Sequence, residues 1–194
     1  MKKISDLFSS DFEHICPRWL CFTFDNVFRK LIHNPYKILH PYIRKGNTVL
    51  DIGPGIGYFT IPMAKMVGDK GRVIAVDIQQ EMLSAIRKKA KRAGVLPRIV
   101  FQLASSDSLG VKVKADFILA FWMVHEVPDK KRFFSQVYSL LKKSGRFLVA
   151  EPKIHLNKKE FMRMLNYARK AGFSVEKSPD IFLSRSVLFF KKEK

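Results

Sequence analysis

The sequence predicts an α/β fold in which a doubly wound, mostly parallel sheet is covered by helices on both faces. From Thr48 onward, short apolar runs alternate with segments whose apolar residues recur at helical spacing. The apolar runs are five to seven residues long and nearly continuous, which is typical of strands buried on both faces. The 194 residues, of which 47% are hydrophobic, are enough for one domain with a substantial core.

The strands and helices can be placed in order along the chain. Strands are predicted at TVLDI, RVIAVDI, RIVFQLA, ADFILAF, GRFLVAE, FSVEK and SVLFFKK. Helices are predicted at GYFTIPMAKMV, QQEMLSAIRKKAKRAG and EFMRMLNYARKAG, and over the segment that runs from Asp129 to just before Gly145. Strands that alternate with helices imply a parallel sheet, and ligands of such sheets bind at the carboxyl ends of the strands.

The character of the sequence changes near Gly46. We predict that residues 1–45 form an aromatic cap or lid and that residues 46–194 form the main domain. The cap contains both cysteines, Cys16 and Cys21. A lid over an apolar acceptor is the favoured interpretation. A metal or reactive-thiol site is the alternative, but structural zinc needs four ligands and there is no second cysteine pair, so no metal is predicted.

The net charge and the length of the apolar runs bear on the partners and the cellular location of the protein. Lysine and arginine total 36 against 17 acidic residues, a formal charge of +19, which makes RNA and anionic membranes candidate partners. The basic residues lie mostly on the polar sides of predicted helices, which favours a solvated surface instead. The N-terminus lacks a secretory apolar region, and the longest apolar run, FILAFWMV, is too short to span a bilayer. We therefore expect a cytoplasmic protein.

A glycine-rich segment follows the first predicted strand. Gly53, Gly55 and Gly57 lie where the strand passes into a helix, and glycines there let the backbone approach a ligand closely. Asp77 ends the second predicted strand 20 residues after Gly57, as expected for a carboxylate that binds ribose hydroxyls. The spacing is G-x-G-x-G and not the G-x-G-x-x-G of dinucleotide-binding folds, so a nicotinamide cofactor is disfavoured.

Four segments resemble the successive motifs of class I S-adenosylmethionine-dependent methyltransferases, and most of all the group that includes the quinone-biosynthesis enzymes. The segments are DIGPGIGYFT, VIAVDIQ, ADFILAFWMVHEV and LLKKSGRFLVAEP, and the match spans about Thr48 to Glu151. The resemblance implies S-adenosyl-L-methionine as the cofactor. It also implies a seven-stranded sheet of order 3-2-1-4-5-7-6 in which only strand 7 is antiparallel.

The same resemblance implies where the cofactor is bound. Asp51 would reach its methionine amino group, Asp77 its ribose hydroxyls and Ile78 its adenine ring. Ser105 stands where the family commonly has an aspartate that contacts the adenine amino group, and Ser106 or Asp107 could each substitute. The implied cofactor-binding residues are Asp51, Gly53, Pro54, Gly55, Gly57, Phe59, Asp77, Ile78, Ser105, Ser106 and Phe121.

Two residues just beyond the fourth predicted strand, His125 and Glu126, would face the methyl acceptor and are the predicted catalytic residues. Histidine has a pKa suited to general-base catalysis, and Glu126 and Glu151 are the other candidate bases. His125 could instead only bind backbone, because in-line methyl transfer from a sulfonium depends mainly on alignment. For Phe121 and Trp122, core packing is the alternative to a cofactor contact.

The resulting prediction is an enzyme that transfers a methyl group in line from S-adenosylmethionine to a small molecule, apolar or anionic in character. The first alternative is an RNA methyltransferase, motivated by the charge of +19, although no Asn-Pro-Pro-Tyr-like motif follows strand four. The second is a non-catalytic cofactor-binding protein, since a fold can outlive its chemistry. A nicotinamide enzyme ranks last.

Overall fold

The computed structural model describes residues 32–191 of the chain. The strands are β1 (Thr48–Ile52), β2 (Arg72–Asp77), β3 (Ile99–Leu103), β4 (Ala115–Phe121), β5 (Leu141–Pro152), β6 (Phe173–Lys177) and β7 (Ser184–Lys191). The helices are α1 (Pro35–Leu39), α2 (Thr60–Val67), α3 (Gln80–Arg92), α4 (Lys130–Leu140) and α5 (Lys158–Lys170). Most of the predicted cap, including Cys16 and Cys21, lies outside the described residues, so its role stays a prediction.

All seven strands belong to one sheet, in the order β3-β2-β1-β4-β5-β7-β6. The pairs β1–β2, β2–β3, β1–β4 and β4–β5 are parallel, whereas β7 is antiparallel to both of its neighbours. The predicted topology, including the single antiparallel strand, is therefore confirmed. The helices within the described residues are all too short or too polar to pass through a lipid bilayer.

The central strands are apolar on both faces because helices cover both faces of the sheet. Successive residues of a strand point to opposite sides, so Val49 and Leu50 belong to different core clusters. Leu50 packs in the cluster that contains Phe134 of α4 and Met164 of α5. Val49 packs in the cluster that contains residues of α2 and α3, such as Ile86. This double coverage explains the near-continuous apolar runs of the sequence.

Strand β5 begins earlier than predicted. The sequence suggested a helix that continues almost to Gly145, but α4 ends at Leu140 and the chain turns directly into β5. Leu141 pairs with Ala115, and the next pair is Phe117 with Arg146, so residues 142–145 bulge opposite a single residue, Asp116. Pairing with β4 thus ends a helix whose apolar spacing would have allowed it to continue.

The carboxylate of Asp116 closes this bulge. Its Oδ2 accepts a hydrogen bond of 2.8 Å from the backbone N–H of Thr48, at the start of β1. Its Oδ1 lies 2.8 Å from Nζ of Lys142, within the bulge itself. One side chain of β4 therefore joins both neighbouring strands at the amino end of the sheet.

We expect Asp116→Ala to lower the free energy of unfolding by about 1–3 kcal/mol, because the Thr48 N–H loses its partner. Asp116→Asn is the matched control: its amide oxygen can still accept this hydrogen bond, and the lost ion pair with Lys142 is partly exposed and worth only about 0–1 kcal/mol. Urea unfolding of both variants measures the difference. If the two lost equal stability, Asp116 would not act through Thr48.

Candidate active site

The predicted site residues lie at the carboxyl edge of the sheet, in the last residues of β1, β2 and β4 and in the loops that follow β1, β2, β3 and β4. The strands β2, β1, β4 and β5 are neighbours in the sheet, and their parallel direction brings these loops to the same edge. The acidic residues Asp51, Asp77 and Glu151 occupy the last or near-last positions of β1, β2 and β5. Within residues 32–191, no cluster of three or more His, Cys, Asp or Glu side chains could hold a metal ion.

The glycine loop packs against the end of β4 on one side and faces open space on the other. Gly53 has φ = 65°, and a Cβ atom there would lie 2.8 Å from Cγ of Met123, so only glycine fits without displacing that side chain. Gly55 has φ = 53°, and a Cβ atom there would have no neighbour within 4 Å. Bare backbone at Gly55 is therefore accessible to a ligand.

The Asp51 carboxylate is held beneath this loop. Asp51 is 2% exposed, and the hydroxyl of Thr60, the first residue of α2, donates a hydrogen bond of 2.6 Å to its Oδ2. The contact fixes the carboxylate relative to the loop between β1 and α2. The structure thus places Asp51 next to the glycines with which the sequence associates it.

Asp77 combines a buried carboxylate with a neighbouring apolar surface. Its Oδ1 accepts a hydrogen bond of 2.9 Å from the N–H of Gln79. Burial raises the pKa of Asp77 to about 6, although the N–H groups of Gln79 and Ile78 oppose this by stabilising the charged form. The Ile78 side chain is 43% exposed. A carboxylate that lacks full solvation beside an exposed apolar side chain fits a ligand with hydroxyl donors and an aromatic base.

The loop after β3 presents hydroxyl and carboxylate groups to solvent. Ser105, Ser106 and Asp107 are all exposed. The Ser105 hydroxyl donates a hydrogen bond of 2.7 Å to Asp107 Oδ1, and this bond is the main reason that the pKa of Asp107 lies below its ordinary value. The charged carboxylate of Asp107 is the stronger acceptor for an amino group, and Ser105 orients it.

Phe59 and Phe121 lie in a buried aromatic cluster beneath the site. Their ring centroids are 4.5 Å apart, and both residues are less than a tenth exposed. The His33 ring packs edge-on against Phe121 at 5.1 Å and against Trp122 at 5.0 Å. These contacts favour core packing for Phe59 and Phe121, and a contact of either residue with the cofactor stays a prediction.

His33 is a site-proximal residue that sequence reasoning missed. In the structure it is 1% exposed, its Nε2 lies 2.7 Å from the carbonyl oxygen of Phe182, and its own carbonyl accepts from the Tyr58 hydroxyl at 2.9 Å. These long-range contacts bring the chain past the rim of the site, and no local pattern could have indicated them.

Glu151 organises the loop that carries the predicted catalytic residues. It is completely buried at the carboxyl end of β5. Its Oε1 accepts hydrogen bonds from the N–H groups of Met123 and Val124, at 3.2 and 2.9 Å. Its Oε2 accepts from the N–H of His125 at 3.1 Å and lies 2.6 Å from Nδ1 of the His125 ring. Glu151 is therefore placed to position His125 and not to meet an acceptor itself.

The environment of His125 favours its protonated form. Burial acts against the charged ring, but the hydrogen bond and charge of Glu151, together with the charge of Glu126, outweigh it and raise the pKa of His125. Nε2 of His125 lies 3.8 Å from Oε1 of Glu126. Because the carboxylate of Glu151 can only accept, Nδ1 carries a proton, and Nε2 is the unprotonated nitrogen when the ring is neutral.

The face of the His125 ring is covered by a second histidine. The ring of His155, in the loop after β5, stacks on it at 5.5 Å with an interplanar angle of 6°. Lys130, the first residue of α4, donates from Nζ to the carbonyl oxygen of Val127 in the same loop as His125, at 2.8 Å. The His125 ring is thus fixed by one contact at Nδ1 and one across its face, with 21% of the side chain exposed.

Comparison with known proteins relates this geometry to methyltransferases. Residues 43–180 match the family described as "Methyltransferase domain". The chain is 36% identical over 110 residues to the ubiquinone/menaquinone biosynthesis C-methyltransferase UbiE of Enterobacter sp. (strain 638). The aligned region covers 56% of this chain and 44% of that protein. The protein of the same name from Marinomonas sp. (strain MWYL1) is 34% identical with the same coverage. This chain therefore matches less than half the length of these relatives.

The fold has a close counterpart among solved structures. A SAM-dependent methyltransferase from Aquifex aeolicus superimposes with a TM-score of 0.79, covering 90% of this chain and 98% of that one, at 22% sequence identity. At this identity the likeness concerns the fold alone. It supports the sheet order and the position of the loops at the carboxyl edge.

We expect Glu151→Gln to lower the pKa of His125. The amide oxygen can still accept a backbone hydrogen bond, but the negative charge that stabilises the imidazolium is gone, while burial continues to oppose it. Titration of the His125 ring by NMR measures the change. Glu126→Gln is the control, and its effect should be smaller because Glu126 is a lesser cause of the raised pKa. An unchanged pKa in Glu151→Gln would rule out this electrostatic coupling.

The same shift links His125 to the pH dependence of folding. The pKa of His125 is higher in the folded protein than in the unfolded chain, where it is about 6.5. At a pH below 6.5, His125 therefore makes its full contribution to the free energy of unfolding. That contribution is lost as pH rises through the folded pKa. Glu151→Gln should therefore lower the free energy of unfolding more at a pH below 6.5 than at a pH above the folded pKa of His125.

Proposed function

Because this chain belongs to the class I S-adenosylmethionine-dependent methyltransferases, we propose that it transfers a methyl group to a small-molecule acceptor. The observation that carries the proposal is His125, held by the buried Glu151 at the edge where the glycine loop exposes its backbone. The names of the UbiE relatives, which describe quinone-biosynthesis C-methyltransferases, support a small molecule as the acceptor.

The cofactor would be bound by residues on both sides of the glycine loop. We propose that Asp51 binds the amino end of S-adenosylmethionine and that Asp77 accepts hydrogen bonds from its ribose hydroxyls. Ile78 would pack against the adenine ring, and Asp107, oriented by Ser105, would accept from the adenine amino group. The exposed backbone at Gly55 leaves room for the close approach that these contacts need.

The bound cofactor supplies an activated methyl group, so the protein's own contribution is alignment and proton removal. Where the acceptor must lose a proton, Nε2 of His125 is the group that receives it. Glu151 keeps Nδ1 protonated and the ring in place, and it stabilises the imidazolium that forms. His155, stacked on the ring, limits its rotation. Glu151 is thus a positioning residue, and His125 is the catalytic residue of this proposal.

The rim of the site supports an acceptor with apolar surface. Ile154, Phe182 and Leu183 are exposed by 82%, 61% and 46%. The loops that carry them are joined by a hydrogen bond of 2.9 Å from Lys153 N–H to the Leu183 carbonyl oxygen, and His155 belongs to the same rim. Lys153 and Arg185 flank these apolar side chains in the sequence and would suit an acceptor that also carries negative charge.

The proposal is tested by incubating the protein with methyl-labelled S-adenosylmethionine and fractionated cell extract. We expect label to enter a low-mass or solvent-extractable fraction. His125→Ala should lower kcat by about 10²- to 10⁴-fold, the usual contribution of a general base, without changing the Kd for S-adenosylmethionine.

Label that is sensitive to nuclease would refute a small-molecule acceptor. Unchanged turnover in His125→Ala would remove the base from the mechanism and leave alignment as the source of catalysis. His155→Ala serves as the matched control: it removes a ring that touches His125 but that should not exchange the proton, so a smaller loss is expected.

A pH dependence of cofactor binding follows from Asp77. Its pKa of about 6 means that the carboxyl is largely protonated below pH 6. Ribose hydroxyl donors favour the charged form, so binding below that pH must release a proton, and affinity should rise as pH increases from about 5 to about 7. Calorimetric titration with S-adenosylmethionine measures this rise. Asp77→Asn should bind more weakly with a flat profile, and a retained slope would assign the effect to another group.

A further inference from the structure

The end of the sheet opposite the candidate site is lined by lysine and arginine. Because β1 to β5 are parallel, the residues just before or at their starts all lie at this end, and the antiparallel β7 finishes there. We call this group the basic end. It comprises Arg44, Lys45, Lys70, Arg72, Lys112, Lys114, Lys143 and Lys191.

Helix ends add further positive charge on the same side. Each helix that follows a parallel strand runs back toward the amino end of the sheet, so its last turn lies there. The last turn of α3 contains Lys91 and Arg92, and that of α5 contains Arg169 and Lys170. Cations at these positions also interact favourably with the negative end of the helix dipole. That interaction does not explain the cations of the basic end, because they lie on strands and loops.

The basic end is not neutralised by acidic neighbours. Among the described residues, the acidic side chains on this side of the sheet, Asp69, Asp116 and Glu176, pair with three further cations, Arg98, Lys142 and Arg146, which leaves the eight cations of the basic end without an ion pair. Lys191 has a pKa below its ordinary value, first because of burial and then because of the positive charge of Lys114. Two cations of the basic end, Lys114 and Lys191, are therefore close enough to repel each other.

The charge is distributed asymmetrically between the two ends of the sheet. The carboxyl edge carries most of the acidic side chains of the described residues: Asp51, Asp77, Glu81, Asp107, Glu126, Asp129, Glu151, Glu160 and Asp180. If the charged side chains served only to keep the surface solvated, acidic and basic residues would be mixed at both ends of the sheet. The segregation instead produces a positive surface about 19 Å across, from the four strand spacings of about 4.8 Å between β2 and β7.

A cleft at the border of the basic end offers a place for an anionic group. Its volume is about 370 Å³, and Tyr42, Arg44, Ser144, Arg146 and Lys177 contribute to its lining. Glu176 also lines it, but it is paired with Arg146. Arginine and lysine around a hydroxyl-bearing cleft match the donors that phosphate oxygens require.

We propose that the basic end binds the phosphate backbone of a nucleic acid, at a surface separate from the candidate active site. A membrane surface is disfavoured because peripheral membrane binding adds inserted apolar side chains to the charge. The small Val100 and Val113 are exposed apolar side chains near this end, whereas the exposed Ile78, Ile154, Phe182 and Leu183 lie at the opposite edge. Because the two surfaces face away from each other, the nucleic acid is a docking partner and not the methyl acceptor.

The test measures binding of the full-length protein to a fluorescently labelled RNA of about 30 nucleotides and to DNA of the same sequence, over a range of salt concentrations. The variant Lys70→Gln/Lys114→Gln/Lys143→Gln removes three exposed charges from the basic end. The control Lys131→Gln/Lys158→Gln/Lys159→Gln removes three exposed charges from the carboxyl edge. We expect the first variant to lose at least about tenfold in affinity and to reduce the log–log salt slope by about 2, with the control nearly unchanged.

Each other outcome has a defined meaning. Binding of RNA and DNA alike supports recognition of the shared phosphate backbone, and preference for RNA identifies the natural source while still supporting the proposal. An equal loss of affinity in the two triple variants would overturn the proposal, because binding would then depend on net charge alone. Binding to phosphatidylserine vesicles without nucleic-acid binding, or competition between RNA and S-adenosylmethionine, would also overturn it. Methyl transfer by the first variant should be unchanged, which separates this inference from the proposed function.

Discussion

The candidate site depends on one buried carboxylate. Glu151 is fully removed from solvent, and burying such a group is costly unless it is fully hydrogen-bonded. It receives three backbone N–H groups from the loop after β4 and lies beside the ring of His125. The end of β5 thereby dictates the conformation of a loop that belongs to a neighbouring strand, and the position of His125 follows from it.

The direction of the strands separates the two functions that we propose. In a parallel sheet, the loops at the carboxyl ends can converge on a ligand, whereas the amino ends are left free to carry other properties. Here the first edge combines glycine backbone, a histidine and most of the described acidic side chains, whereas the second presents mainly cations. Part of the charge of +19 is therefore concentrated at the amino end of the sheet, a location that composition alone could not provide.

The fold was predictable because both signals were strong: apolar strands such as ADFILAF and helices such as QQEMLSAIRKKAKRAG differ clearly in periodicity. The strand order came from the resemblance and not from the pattern. The end of α4 was misplaced because pairing of Leu141 with Ala115 overrides helical spacing. Glu151 was considered only as a base, and the contacts of His33 with Phe182 and Tyr58 span too many residues for any local signal.

Trp122 shows how the rim of the site is anchored. Its φ of 59° lies in the left-handed region, which costs a bulky residue about 1–3 kcal/mol. Two contacts hold it there: its N–H donates to the Ala150 carbonyl at 2.7 Å, and its indole N–H donates to Ser184 at 2.9 Å. Glycine would relax the backbone but would release the link between β4 and β7. Evolution toward greater thermal stability therefore meets a trade-off at this position, since relieving the strain also loosens the contact between Trp122 and β7 at the rim of the candidate site.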